Sequence, residues 1–275
     1  MWKLYQVVFR LRSPLHVGHT KVGNLMRTRP YVLGKTMWGA VTAALAVERF
    51  DGDFPKAQQQ VSQHLAFSYF YPALEKNDPL WPQYTKDGLC YGAKRMSAPE
   101  FERRFISTYG STALDYTSNT AEEGSLHEVE FISPYDQREG GPVYLVGYIL
   151  ERQGNSLAWR DVLSKIRLGG ERKSGWGQVT LEQEPCSRSD LFGIEVGLEE
   201  ERPHIRAKAG ECLRAHALAT RVQATGQIEP LLGRETRDAA RFGGILASHA
   251  PICWVPGSQL FDDQRLEISE HGIWR

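Results

Sequence analysis

Between residues 3 and 183 the apolar residues of this 275-residue chain switch between a period of two and a period of 3.6, and the order of the switches admits few folds. Residues 3–12 alternate: Tyr5, Val7, Phe9 and Leu11 fall on one side, Gln6, Arg10 and Arg12 on the other, with Val8 the exception. That predicts a half-buried strand. Ser13-Pro14 ends it, because proline lacks the N–H that a ladder needs. A basic, polar loop runs to about Gly34, after which Thr36 is placed to cap a helix turning Trp38, Val41 and Leu45 to one face. A second amphipathic stretch near 56–66 leads into LAFSYFYPAL, read as a strand. Residues 77–125, rich in Pro, Gly, Ser and charge, predict a long insertion. Strand character returns at 127–133 and 143–150, joined by the turn-prone DQREGGP. Residues 156–167 predict a helix with Trp159, Val162, Leu163 and Ile166 inward, and a glycine-rich loop over 168–177 precedes a last strand at 178–183.

Strand, helix, paired strands, helix, strand is the βαββαβ order of an α+β, ferredoxin-like domain, the scaffold that RNA-recognition modules also use. Such a domain is expected over 1–186. The acidic stretch SRSDLFGIEVGLEEE (187–201) marks a boundary, and 187–275 is expected to form a smaller domain, degenerate ferredoxin-like or β-rich. Its strand-like pieces fall at 204–208, 213–224 and 252–255.

Several function classes drop out on composition. No apolar run approaches the ~20 residues that cross a bilayer. The opening MWKLYQVVFRLRSPLH alternates like a strand instead of running from charged to apolar like a secretion signal, so a cytoplasmic location is expected. Cys90, Cys186, Cys212 and Cys253 are scattered and form no CxxC pair, which argues against a disulfide framework. His16 and His19 have no further ligand at zinc spacing, so neither metal nor cofactor is expected. Net charge is zero but unevenly laid out. Residues 1–50 carry eight Lys and Arg against one acid, and 151–180 six against three. Residues 51–150 carry eight against fourteen, and 181–201 one against seven. Two basic segments, each followed by an acidic one, fit a chain that holds RNA on one face and proteins on others, and equally a surface that is merely uneven.

Three segments could carry chemistry. In LGGERKSGWGQV (168–179), Gly169, Gly170, Gly175 and Gly177 let the backbone approach another chain, Arg172 and Lys173 supply phosphate-pairing charge beside Ser174, and Trp176 could stack on a base. It is no phosphate-binding P-loop: Trp176 stands where the lysine must be, and the loop follows a helix instead of opening one. A basic hairpin turn is the plainer alternative. In SPLHVGHTKVGNLMRTRP (13–30), His16, His19, Lys21, Arg27 and Arg29 lie between strand and helix, with the helix amino terminus near Lys35 adding N–H donors for a phosphate. Metal-free RNA cleavage by an imidazole, with a lysine stabilising charge on phosphorus, is a functional alternative, and a simply packed His16 is another. In the third segment Glu128 and Glu130 share one strand face while Glu122 and Glu123 lie in a polar loop, so solvated charges are expected there.

The strand followed by SPLHVG, then YVLGKTMWGAVTAAL, TSNTAEEGSLHEVEFI and LGGERKSGWGQV, together resembles the RAMP superfamily, the repeat-associated proteins of CRISPR effector complexes. Gly34, Trp38, Gly39 and Ala40 occupy the places of that family's G-x-x-L-x-G-A helix start. The resemblance spans roughly residues 3–183. It implies a ferredoxin-like fold, CRISPR RNA as ligand, and assembly beside other RAMP subunits and a large polymerase- or nuclease-like subunit, with target RNA met indirectly. Family roles differ. Type III backbone subunits cut target RNA with an aspartate in the loop after the first strand, and residues 13–35 here contain no Asp or Glu. Processing enzymes commonly use a histidine in or near the first helix, whereas His16 and His19 lie earlier. Cap subunits hold the 5′ handle of the guide without chemistry and often carry a second degenerate domain. The SPLHVG opening is most similar to type III caps. The resemblance therefore implies a non-catalytic cap. Arg172, Lys173 and the loop backbone would grip phosphates, Trp176 would meet a handle base, and Lys21, Arg27, Arg29 and Lys35 would line the same groove. A guide-lining backbone subunit, a metal-independent precursor-RNA endoribonuclease and a protein-interaction subunit docking through acidic residues 122–139 and 182–201 remain as alternatives.

Overall fold

The computed structural model describes residues 1–235, 245–246 and 250–275. The described chain is an α+β protein, mostly strands in several sheets, with four α-helices. The first strand, Trp2–Leu11, pairs antiparallel along its length with Tyr144–Arg152. Its other edge takes Val179–Leu181 and Cys186–Arg188. Leu65–Phe67 and Tyr71–Ala73 pair antiparallel with the far side of Tyr144–Arg152. Across the sheet the strands thus run last, first, third, second in chain order.

Both faces of this sheet are covered, and that corrects the half-buried first strand. Val7, Phe9 and Leu11 pack with Met37, Val41 and Leu45 of the helix Gly34–Arg49, with Val61 of Phe54–His64, and with Trp159 and Leu163. On the other face Trp2 and Leu4 share a core with Ile205, Leu213, Leu231, Cys253 and Trp274, so one core runs through residue 187. Val8 breaks the alternation because its own face is buried too, against Ala73 and Val146.

Local geometry departs from the sequence pattern at four places. Helix Gly34–Arg49 starts two residues before Thr36, with Leu33 as N-cap and no side-chain cap. Glycine is needed at that start, because a Cβ on Gly34 would run into the carbonyl oxygens of His271 and Phe67. LAFSYFYPAL is two strands, because the chain holds one more residue between Phe67 and Tyr71 than its partner holds between Ile149 and Val146, a bulge. Ser68 fills the break: its Oγ accepts from Tyr148 N at 2.7 Å and its own N donates to Tyr148 O. The expected helix over 156–167 shortens to Trp159–Val162 plus a 3-10 turn, Leu163–Lys165, because Ile166 is already extended to bring Arg167 opposite Gln178. The expected strand over 213–224 is only the short pieces Ala217–Leu218 and Ala224–Thr225.

The insertion over 77–125 is ordered. It forms a three-stranded sheet (Pro82–Thr85, Gly88–Tyr91, Met96–Ser97), the helix Ala98–Phe105 and the strand Ile106–Ser111. Tyr91 stacks on Phe101 at 3.9 Å, giving the insertion a small core with Leu80, Phe105 and Val143. A second four-stranded sheet follows the order Gly18–Val22, Leu25–Thr28, His127–Ile132, Ile106–Ser111. Among the described residues no helix is long and apolar enough to cross a membrane.

Candidate nucleic-acid interface

The glycine-rich loop lies directly on the chain that leaves the first strand. Gly170 N donates to His16 O at 2.9 Å, Gly177 N to Pro14 O at 2.8 Å, and Gln178 N to Ser13 Oγ at 2.9 Å. Leu168 N closes the loop on Gly177 O at 2.9 Å. Gly169 and Gly177 have φ of +71° and +75°, and a Cβ on either would run into the carbonyl oxygen of His16 or Leu168 respectively. Glycine is required at both positions for conformation and for close approach. Between them Arg172–Ser174 form a 3-10 turn held between left-handed Glu171 and Gly175. Arg172, Lys173 and Ser174 are exposed, and neither cation pairs with a carboxylate among the described residues. The loop is a clamped platform that presents Arg172 and Lys173 to solvent, with the exposed Glu171 beside them.

Trp176 sits on protein instead of standing free. The half-buried indole makes T-shaped contacts with Phe131, at 5.1 Å between ring centroids, and with Tyr109 at 6.2 Å. It thereby docks the loop onto one face of the second sheet.

The basic N-terminal segment divides into exposed and internally satisfied residues. Lys21 is exposed on the edge strand and pairs with no carboxylate among the described residues. Lys35, in the first helical turn, lies against Gly233. Arg27 keeps a half-exposed side chain while its Nε donates to the Glu130 carboxylate at 3.3 Å. Arg29 differs from the expectation of a groove-lining cation: it is only 6% exposed, and Nη1 donates to Glu229 Oε1 at 2.6 Å. Its charge is balanced inside the protein. His16 is a packed residue, 8% exposed, with Nδ1 donating to the carbonyl oxygen of Glu130 at 2.7 Å. Glu130 itself is buried and accepts from Thr28 N at 3.1 Å, which corrects its reading as a solvated charge.

Sequence reasoning missed the centre that organises these residues, Glu229. Its carboxylate accepts from His19 Nε2 at 3.0 Å, Arg29 Nη1 and His216 Nε2 at 2.5 Å. The His216 Nδ1 in turn accepts from the Tyr69 hydroxyl at 2.6 Å. Burial raises the Glu229 pKa, but the hydrogen bonds from His19 and His216 and the charge of Arg29 outweigh it and hold the carboxyl well below its ordinary range. Burial lowers the His216 pKa, so the ring stays neutral in the fold. Nothing local in the sequence signals this network, because its members come from four separate stretches of chain. Among the described residues no group of three His, Cys, Asp or Glu side chains is arranged to hold a metal ion.

No protein-family model and no curated protein matches the sequence. Solved structures do match the fold. The chain is similar to a chain in the cryo-EM structure of the type III-B Cmr-beta bound to cognate target RNA and AMPPnP, in state 1. The TM-score is 0.56 at 11% identity, covering 93% of this chain and 85% of that one. A chain in the cryo-EM structure of the type III-B Cmr-beta bound to cognate target RNA gives 0.55 at 10% identity, covering 93% and 86%. At such identities the likeness is one of fold.

Proposed function

We propose that this chain is an RNA-holding subunit of a type III CRISPR effector complex, similar to type III-B, which caps the 5′ handle of the guide and performs no cleavage. The main sheet, with its last-first-third-second order and helices on one face, is read as the ferredoxin-like domain of a RAMP subunit. The observation that carries the proposal is the loop 168–177, clamped on Pro14–His16 and presenting Arg172 and Lys173 without partners among the described residues. The similar chains belong to Cmr-beta structures bound to target RNA, which supports RNA as the ligand and other complex subunits as the neighbours. Two features support a role without chemistry. The segment 13–35 offers no carboxylate for cutting target RNA, and the His16 imidazole is buried with Nδ1 committed to Glu130. A cytoplasmic place of action accompanies that role.

Incubating the purified protein with labelled repeat-containing RNA in EDTA tests the proposal. Binding without cutting is expected. A discrete cut abolished by His19→Ala would replace the cap with a processing ribonuclease. Absence of binding, with crosslinks to neighbouring proteins alone, would replace it with an interaction subunit.

A further inference from the structure

On the face of the second sheet opposite Trp176 lies a pocket of about 420 Å³, bordered by the insertion and by Gln227, Glu229, Val255 and Pro256 of the C-terminal part. Side chains alternate across a strand, so Phe131 meets Trp176 while its neighbour Glu130 lines the pocket. From the sequence, the cap reading takes Arg27 and Arg29 as groove-lining cations, but it assigns no ligand group to the cavity they border. We propose that it holds one unstacked nucleotide of single-stranded RNA, base inside and phosphate at the rim; the inference rests on the RNA-binding reading above.

Three features match that ligand. First, Tyr84 offers a half-buried ring whose hydroxyl donates to Gln227 Oε1 at 3.1 Å, so the ring is held in place as a stacking platform. Every base has a π face for such a platform, and stacking is tolerant of sequence. Second, the rim holds a guanidinium with donors to spare, although three glutamates also line the pocket. Arg27 commits only Nε to Glu130, leaving the terminal nitrogens of a half-exposed guanidinium for phosphate oxygens, and His19 lies beside it. Third, the pocket carries a polar group that has room for a partner. Glu102 is exposed and makes no ion pair among the described residues, and a carboxylate accepts from an exocyclic base amine. The volume is at the lower end for small-ligand sites, which suits one nucleotide and not a helical segment.

The test is an abasic scan of the repeat-derived RNA, with affinity measured for the full chain and for Tyr84→Ala and Tyr84→Phe. In the unaltered protein one position should stand out, its abasic form binding ~10-fold more weakly. Tyr84→Ala should lose about the same factor with the intact RNA and lose nothing further at that position. Tyr84→Phe keeps the ring and loses only its hydrogen bond to Gln227, so it should keep the position-specific abasic effect and lose less affinity than Tyr84→Ala. A flat scan, or an abasic effect that persists undiminished in Tyr84→Ala, overturns the pocket while leaving the cap reading intact. Failure of the unaltered protein to bind the RNA at all overturns both.

Discussion

The carbonyl oxygen of His16 accepts a 2.9 Å hydrogen bond from the backbone N–H of Gly170, and that bond joins two segments far apart in the chain. The glycine-rich loop is therefore no free hairpin turn. It is built onto the exit of the first strand, so the positions of Arg172 and Lys173 are set by the main sheet. Preorganisation of this kind lowers the ordering cost of holding a flexible polyanion.

Gly177→Ala should be markedly destabilising, since the new methyl would collide with the Leu168 carbonyl in a left-handed backbone. We expect a loss of ~3 kcal/mol, a fall in Tm of roughly 6–12 °C for a chain of this size. Gly23→Ala is the control: Gly23 has φ +59° but open space around it, and the expected loss is ~1 kcal/mol. Thermal unfolding followed by circular dichroism separates the two. Equal losses would mean that the close approach at Gly177 contributes nothing.

His16→Ala should act on stability. Removing the imidazole leaves the buried Glu130 carbonyl without its donor, a loss of ~1–3 kcal/mol in urea unfolding. RNA binding by the folded variant should remain within about threefold of the parent, a limit well under one lost charge-assisted hydrogen bond.

How much of this was legible in the sequence depends on whether the signal was local. The period-two run at 3–12, the strand-like run at 143–150 and the helical face of Trp38, Val41 and Leu45 reported real elements, because each rests on burial of its own residues. Val8 was read as an exception for want of knowledge about what covers the second face. The helix Ala98–Phe105 was missed because its apolar residues Phe101 and Phe105 sit among four charges, within an insertion otherwise poor in periodic signal. At the candidate interface the glycines of 168–177 were legible as places of close approach, though not what they approach. Arg27, Arg29 and Glu130 looked like surface charges because their partners lie about a hundred residues or more away. Glu229 carried no local signal at all.

Glu229→Gln should destabilise the fold by ~3–5 kcal/mol at neutral pH, by leaving the buried Arg29 guanidinium without its counter-charge. The network adds two depressed pKa values, His216 and Glu229, to those of His204, Asp136 and Glu151. His216 stays neutral in the fold while the unfolded chain takes up its proton below about pH 6.5, so stability starts to fall there on acidification. Glu229 stays ionised in the fold while the unfolded chain protonates it below about pH 4.3, so a second decline follows. Both contributions are present in full at neutral pH. In Glu229→Gln the lower decline should become shallower, with Asp136 and Glu151 still contributing to it, and urea unfolding between about pH 7 and pH 3.5 measures the difference; an unchanged decline would contradict the assignment.

The most direct test of the central claim is the salt dependence of RNA affinity for the parent and for Arg172→Ala/Lys173→Ala. Each phosphate neutralised on a single strand contributes ~0.7 to the slope of log affinity against log salt, so the double variant should lose ~1.4 from that slope and bind more weakly at low salt. A double variant with the parent's affinity and slope at every salt concentration would contradict the account, and RNA, if bound, would then lie elsewhere on the molecule.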